Sequence, residues 1–237
     1  MVAWREFWMK GVKHFFKNTE KPQGWLGNVM LYGMNRGHAS VSDWGLSFLP
    51  DDQEGNLSSI ADIGCGGGRN TAQLLKRFPA ARVIALDHSS AAVGKTRRLN
   101  RKAVAGGRCQ AICGNVSYPP FPADSFDIVT AFETVYFWPG PTTSFREIMR
   151  ILKPGGIFLI VNEADGTDPA GQKWADMIQG MQIFNQQQLT HFLEEAGFSN
   201  ITVHADRQHN WLCILSKKSL GVLLFLQSGY NMRHKRR

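Results

Sequence analysis

The sequence has no Cys-x-x-Cys pair, and its four cysteines, Cys65, Cys109, Cys113 and Cys213, stand without a histidine cluster at ligand spacing, so nothing in it indicates a zinc site. Cys65, Cys113 and Cys213 lie in or beside apolar runs, where a thiol behaves as a small hydrophobe, and all four are expected to be reduced and structural. Long apolar runs are missing as well. The longest near either end, residues 220–226, is broken by Gly221 and falls short of the roughly 20 residues that a membrane span needs. At the start, Arg5, Glu6, Lys10 and Lys13 interrupt the hydrophobic core that a secretory signal requires, which makes the cytoplasm the expected location. Charged residues amount to 19% against 43% hydrophobic, a balance foreign to disordered, collagenous or coiled-coil chains. No internal repeat or low-complexity tract is visible. The 237 residues suit one compact domain with small appendages.

The net charge of +8 suggests a nucleic-acid partner until it is divided along the chain. Residues 1–21 carry +3, the stretch from Lys217 onward carries +6, and residues 22–216 carry −1. A basic groove across a neutral body is not expected, so a nucleic-acid partner is disfavoured and the tail reads as solvated.

From residue 59 to 162, short β-rich runs alternate with helical patterns, the signature of a parallel sheet covered by crossover helices. The strands fall at 60–63, 82–87, 109–113, 126–131 and 157–161. Helices are expected at 70–78, 90–104 (capped by Ser89 or Ser90) and 143–152, the last stopped by Lys153-Pro154-Gly155-Gly156. A further helix, 186–196, has Asn185 as its cap and Gly197 as its stop. Segments 201–205 and 211–216 read as an antiparallel hairpin extending one sheet edge. The expected fold is therefore α/β, a doubly wound, mostly parallel seven-stranded sheet with an antiparallel edge hairpin. Residues 1–49 would form an aromatic helical cap, 50–216 the main domain and 217–237 a basic tail. The cap holds nine of the 26 aromatic residues. Its apolar side chains at 4, 7, 8, 12, 15 and 16 have helical spacing beside four cations, a pattern fitting either a membrane surface or, as favoured here, a lid over a ligand crevice.

The most informative stretch is Asp62-Ile63-Gly64-Cys65-Gly66-Gly67-Gly68-Arg69-Asn70, a strand running into a glycine turn that opens a helix. Such a turn exposes amide hydrogens where anionic groups are stabilised. The dinucleotide fingerprint starting at Gly64 would need glycine at 69, where Arg69 stands. Asp62, Gly64, Gly66 and Gly68 instead form acid-x-Gly-x-Gly-x-Gly, and here the chain resembles the class I methyltransferases that use S-adenosylmethionine. Asp87 ending the second strand, Gly114-Asn115-Val116 after the third, Pro120 to Asp127 before the fourth and Leu152 to Gly156 before the fifth extend the likeness in order. It covers residues 57–163.

The resemblance implies S-adenosylmethionine as cofactor, S-adenosylhomocysteine as product and no metal. Its implied cofactor-binding set is Asp62, Gly64, Cys65, Gly66, Gly68, Asn70, Asp87, His88, Asn115, Val116 and Glu133. Asp87 would hold the ribose hydroxyls and Asn115, where most members have Asp, the adenine edge. Direct displacement needs alignment and dryness more than a base. His38, Glu133 and Tyr136 are the candidates to position or deprotonate an acceptor, with the N-terminal lid presenting Met34, Asn35 and His38. The chain has Ala131-Phe132-Glu133-Thr134 where amino-methylating enzymes of nucleic acid carry Asp/Asn-Pro-Pro-Tyr/Phe, so a small-molecule acceptor is expected. The alternatives are a macromolecular methyltransferase and a non-catalytic protein that binds the cofactor.

Overall fold

The computed structural model describes residues 39–52, 54–168, 175, 178 and 180–220. Expectations resting on Met34, Asn35, His38, the aromatics from Trp4 to Tyr32 and the tail beyond Leu220 lie outside these residues. Among those described, no helix is long and apolar enough to cross a membrane.

Seven strands form one sheet: β1 (Ser59–Ile63), β2 (Arg82–Asp87), β3 (Cys109–Cys113), β4 (Phe126–Phe132), β5 (Leu152–Asn162), β6 (Ser199–Asp206) and β7 (Trp211–Lys217). Their order is β3-β2-β1-β4-β5-β7-β6, with β7 alone running against its neighbours. The expected fold is borne out. Adjacent residues along each central strand point to opposite faces and both faces are buried, which explains why these strands read as continuous apolar runs. Ala61, Val129, Phe158 and Ile160 join one core cluster, while Ile60, Ile128, Leu159 and Val161 join the other.

The helices are α1 (Ala39–Leu46), α2 (Arg69–Arg77), α3 (Ser90–Leu99), α4 (Arg101–Ala105), α5 (Pro141–Ile151) and α6 (Gln186–Ala196). The first core contains Phe145, Ile148 and Ile151 of α5 with Leu189 and Leu193 of α6; the second contains Val41 and Leu46 of α1 with Leu74 and Leu75 of α2. Ser89 caps α3, and Asn185 caps α6 in a reciprocal box with Gln188, as expected.

Three local readings are corrected. The helix expected over 90–104 is two helices that meet at Asn100, whose backbone turns to φ −99° and ψ 22° while its side chain donates to the carbonyls of Thr96 (3.0 Å) and Gly68 (3.1 Å). β5 begins at Leu152 and includes the Lys-Pro-Gly-Gly stretch, with a register irregularity against β4 between Phe126 and Ile128. Cys113 is exposed, since β3 is the edge strand, whereas Cys65, Cys109 and Cys213 are buried and all four are free thiols. Burial pushes the Cys213 thiol up to about 12 and Cys109 up to about 11, as inert structural thiols require.

Both ends of the main body are tied in. Trp44 and Phe48 pack on the β6–β7 hairpin, Trp44 against Trp211 at 5.8 Å and Phe48 stacked on His204 at 3.8 Å. Past β7, Lys218 Nζ reaches Asp124 at 2.7 Å and the Leu152 carbonyl at 2.8 Å. Lys153 pairs with Asp127 at 2.8 Å, tying the start of β5 to the start of β4 as scaffold.

Candidate functional site

β1 and β4 are parallel neighbours from which the strand order proceeds to opposite edges of the sheet, and this switch in order creates a crevice at the carboxyl ends of the strands. The glycine loop occupies it. Gly64, Gly66 and Gly68 all have φ between 51° and 82°. At Gly64 the constraint is doubled, because an added Cβ would lie 2.1 Å from Thr134 Oγ1 beyond β4. Gly68 has backbone and side chain of Thr96 within 2.7 Å of such a Cβ. The loop is thus clamped between the β4 exit and α3, its backbone too close to either for any side chain.

Asp87 organises the other wall. Its Oδ2 accepts from Gly66 N at 2.9 Å and its Oδ1 from Ser89 N at 2.8 Å, fixing the carboxylate between the glycine loop and the start of α3. Each oxygen keeps a lone pair, so the group can still accept from two neighbouring hydroxyls. His88 is half exposed beside it, Nδ1 3.6 Å from Asp87 Oδ1. Asn115 is exposed, with Oδ1 accepting from Ser117 N at 2.9 Å, and that bond fixes the amide while leaving Nδ2 open. Val116 is buried next to it. Asn70 accepts from Arg69 at 3.3 Å in the first turn of α2. A left-handed glycine loop, a preset carboxylate and an exposed amide fit a nucleoside whose ribose and base need such partners.

Asp62 lies beneath the loop, fully buried. Thr71 Oγ1 donates to it at 2.6 Å and Thr130 Oγ1 at 3.2 Å. Burial raises its carboxyl to about 6, with Asp87's charge adding to the rise and the two threonines opposing it. The structure therefore places Asp62 as a support that ties α2 and β4 to β1. Cys65 is buried, its Sγ 3.5 Å from Thr96 Oγ1, and burial holds its thiol well above the usual range.

The remaining candidates meet on the other side of the crevice. Glu133 follows β4 with φ 56°, uncommon for a non-glycine residue. Its carboxylate accepts from Glu163 N beyond β5 and from the Tyr136 hydroxyl. Ala164 N donates to that hydroxyl at 3.0 Å. Burial, then Glu133's charge, pushes the Tyr136 phenol well above its ordinary value, so it stays protonated and acts as a donor. Glu133 and Tyr136 are thereby brought together, fastening the exits of β4 and β5; His38 lies outside the described residues. Among the described residues no group of three or more His, Cys, Asp or Glu side chains could hold a metal ion.

Sequence reasoning missed the threonines. Thr71 and Thr130 hold Asp62, Thr96 abuts the glycine loop, and Thr134 sits against Gly64 while accepting from Trp138 Nε1 at 3.2 Å. A threonine carries no signal of its own in a single sequence; only the demand of buried Asp62 for donors could have pointed to two of them.

Residues 61–160 match the methyltransferase domain family. The chain is 26% identical over 176 residues to 2-methyl-6-phytyl-1,4-hydroquinone methyltransferase 2, chloroplastic, of Oryza sativa subsp. japonica, covering 74% of this chain and 49% of that protein. It is 27% identical over 130 residues to the sterol 24-C-methyltransferase of Pneumocystis carinii (strain B80), covering 53% and 33%. The chain thus spans half or less of the length of these curated relatives. Among solved structures, a chain of the complex between the Haloferax volcanii Trm112 methyltransferase activator and a methyltransferase matches with a TM-score of 0.73 at 20% identity, covering 82% of this chain and 96% of that one. That likeness is one of fold. The match over residues 61–160 agrees with the methyltransferase resemblance carried by the glycine loop.

Proposed function

We propose that this chain transfers a methyl group from S-adenosylmethionine to a small-molecule acceptor by direct displacement. One observation carries the reading: the glycine loop after β1 and the Asp87 carboxylate ending β2 are locked together beside the switch point, with acceptor positions left for a ribose. When bound, the cofactor supplies an electrophilic methyl on a sulfonium; alignment and dryness fall to the chain. Asp87 holds the two ribose hydroxyls and Asn115 and Val116 the adenine; the amides of Gly64, Cys65, Gly66 and Gly68 are engaged by the Leu86 carbonyl, Asp87 and the Cys65 carbonyl, so the loop meets the amino-acid end through the close approach its side-chain-free backbone allows. Glu133, fixed by Glu163 N and Tyr136, forms the wall against which the acceptor is placed, and its carboxylate can accept a proton from an acidic acceptor hydroxyl.

The acceptor class is supported by two points. The β4 exit carries Phe132-Glu133-Thr134 rather than the Pro-Pro-Tyr type of motif, and the relatives just described are named for a hydroquinone and a sterol. Calorimetric titration of the full chain with S-adenosylhomocysteine tests the first half. Absence of binding would remove the proposal. Incubation with methyl-labelled cofactor and, in turn, a hydroquinone, a sterol and bulk RNA tests the second, and label in the RNA alone would overturn the small-molecule reading.

A further inference from the structure

The near-neutral sum over the body conceals a segregation. Between residues 89 and 123 there are six cations, Lys95, Arg97, Arg98, Arg101, Lys102 and Arg108, and no carboxylate. The fold gathers this stretch on one flank: α3, α4 and the outermost strand β3, beside which the first residue of β2, Arg82, adds another positive charge.

These cations differ from others in the body. Arg69, Arg77, Arg150, Lys153 and Lys218 each reach a carboxylate at 2.6–3.0 Å. Arg82, Arg97, Arg98, Arg101, Lys102 and Arg108 have no ion pair among the described residues. Two of them build the platform instead. Arg108 donates to the carbonyls of Leu75 and Phe78 at 2.9 and 3.1 Å, and Arg97 donates to the Ala111 carbonyl at 2.9 and 2.6 Å. Arg98, Arg101 and Lys102 stand in solvent. Lys95 feels the crowding: partial burial first, then the charge of Arg98, lower its ammonium from the ordinary value. In the middle of this group Leu99 is 53% exposed, one of three large apolar side chains so exposed among the described residues.

We propose that the α3–α4 flank is a docking surface for an anionic lipid bilayer, with Arg98, Arg101 and Lys102 at the level of the lipid phosphates and Leu99 inserted at the headgroup boundary. Charge complementarity and the position of Leu99 among the cations select this occupant. Arg98, Arg101 and Lys102, without an ion pair among the described residues and in a stretch that carries no carboxylate, attract any polyanion. A nucleic acid would answer the charge and leave Leu99 in water, whereas a bilayer offers phosphates and an apolar layer within one side-chain length. This inference does not depend on methyl transfer.

Co-sedimentation of the full chain with vesicles, one set pure phosphatidylcholine and one set about a third phosphatidylglycerol, is the test. The expected result is binding to the anionic vesicles alone, weakening as salt is raised. Each cation near such a surface is worth about five-fold in affinity, so the triple variant Arg98→Gln/Arg101→Gln/Lys102→Gln should lose about a hundred-fold. Leu99→Ser should lose about ten-fold. Both variants alter exposed side chains and should melt with the parent. Neutralising the tail instead, with Lys235→Gln/Arg236→Gln/Arg237→Gln, should leave most of the binding in place. The proposal is overturned if anionic vesicles are not preferred, or if the tail variant abolishes binding while the flank variant keeps it. It also fails if a single-stranded RNA binds more tightly than the vesicles, is lost in the triple variant and is indifferent to Leu99→Ser.

Discussion

The carboxyl ends of β1 and β2 and those of β4 and β5 lie side by side in one sheet, yet they hold their contents by different means. On the β1–β2 side the work is done by backbone: a glycine loop with three positive φ angles, anchored through Gly66 N to one carboxylate from the next strand. On the β4–β5 side it is done by side chains that reach across about thirty residues of sequence, Glu133 to Glu163 N and Tyr136 to Ala164 N. A backbone-built site admits few alternatives, because moving a φ angle out of the left-handed region dismantles it. A site built from side chains can be re-lined while the sheet stays put, which suits a half that must meet a variable acceptor.

That contrast can be broken at four points. Gly64→Ala should do the most damage. A left-handed alanine costs about 1–2 kcal/mol, and the overlap with Thr134 adds about 1–3 kcal/mol more. Urea unfolding should show a loss of about 3 kcal/mol, and Gly64→Ala/Thr134→Gly should recover the steric part; a single variant as stable as the parent would deny that the two halves are in contact there.

Next comes Asp62, the support under the loop. Its folded carboxyl titrates at about 6 against 3.8 in a free side chain, so the folded state binds that proton more tightly than the unfolded one. The stability this gives is full below pH about 4 and is lost as the pH rises through about 6, a swing of about 3 kcal/mol. The difference in unfolding free energy between parent and Asp62→Asn should therefore shrink over that window, measured by denaturant titration at each pH. Parallel curves would mean that Asp62 is not buried as a proton carrier.

Asp87→Asn should act on binding more than on folding. It loses a charge-assisted acceptor for a hydroxyl, worth about 1.5–3 kcal/mol, so the Kd for S-adenosylhomocysteine should rise ten-fold or more with a modest change in Tm. Unchanged affinity by calorimetry would remove Asp87 from the cofactor site.

Tyr136→Phe gives the smallest effect and the sharpest test of the β4–β5 side. Removing the hydroxyl leaves Ala164 N and the Glu133 carboxylate one partner short, at a cost of about 1 kcal/mol. Turnover should fall several-fold while cofactor affinity holds. A drop in cofactor affinity instead would show that the two sides are not separable.

Legibility in the sequence followed the same divide. The strand runs, the glycine spacing, Asp87 and the cap at Asn185 are local patterns, each decided by residues within one turn or one strand, and the structure reproduces them. What was not legible had partners far along the chain. Nothing near Asn100 announces that its amide will meet the Gly68 carbonyl where two helices join, and nothing near Cys113 tells that its strand lies at the edge. Glu133 and Tyr136 could be named as candidates, but that they answer the amides after β5 depended on the register of β4 against β5.

The sequence by itself determined the α/β class, the glycine loop and the carboxylate that faces it, because short continuous apolar runs, the helical patterns between them and left-handed glycine positions are set by residues close along the chain. Only the tertiary structure decided the order of the strands, the threonine supports of Asp62 and the gathering of cations along α3 and α4. Those depend on which distant segments become neighbours, and the free energy that selects them is the burial of two apolar sheet faces, to which no single stretch of residues holds the key.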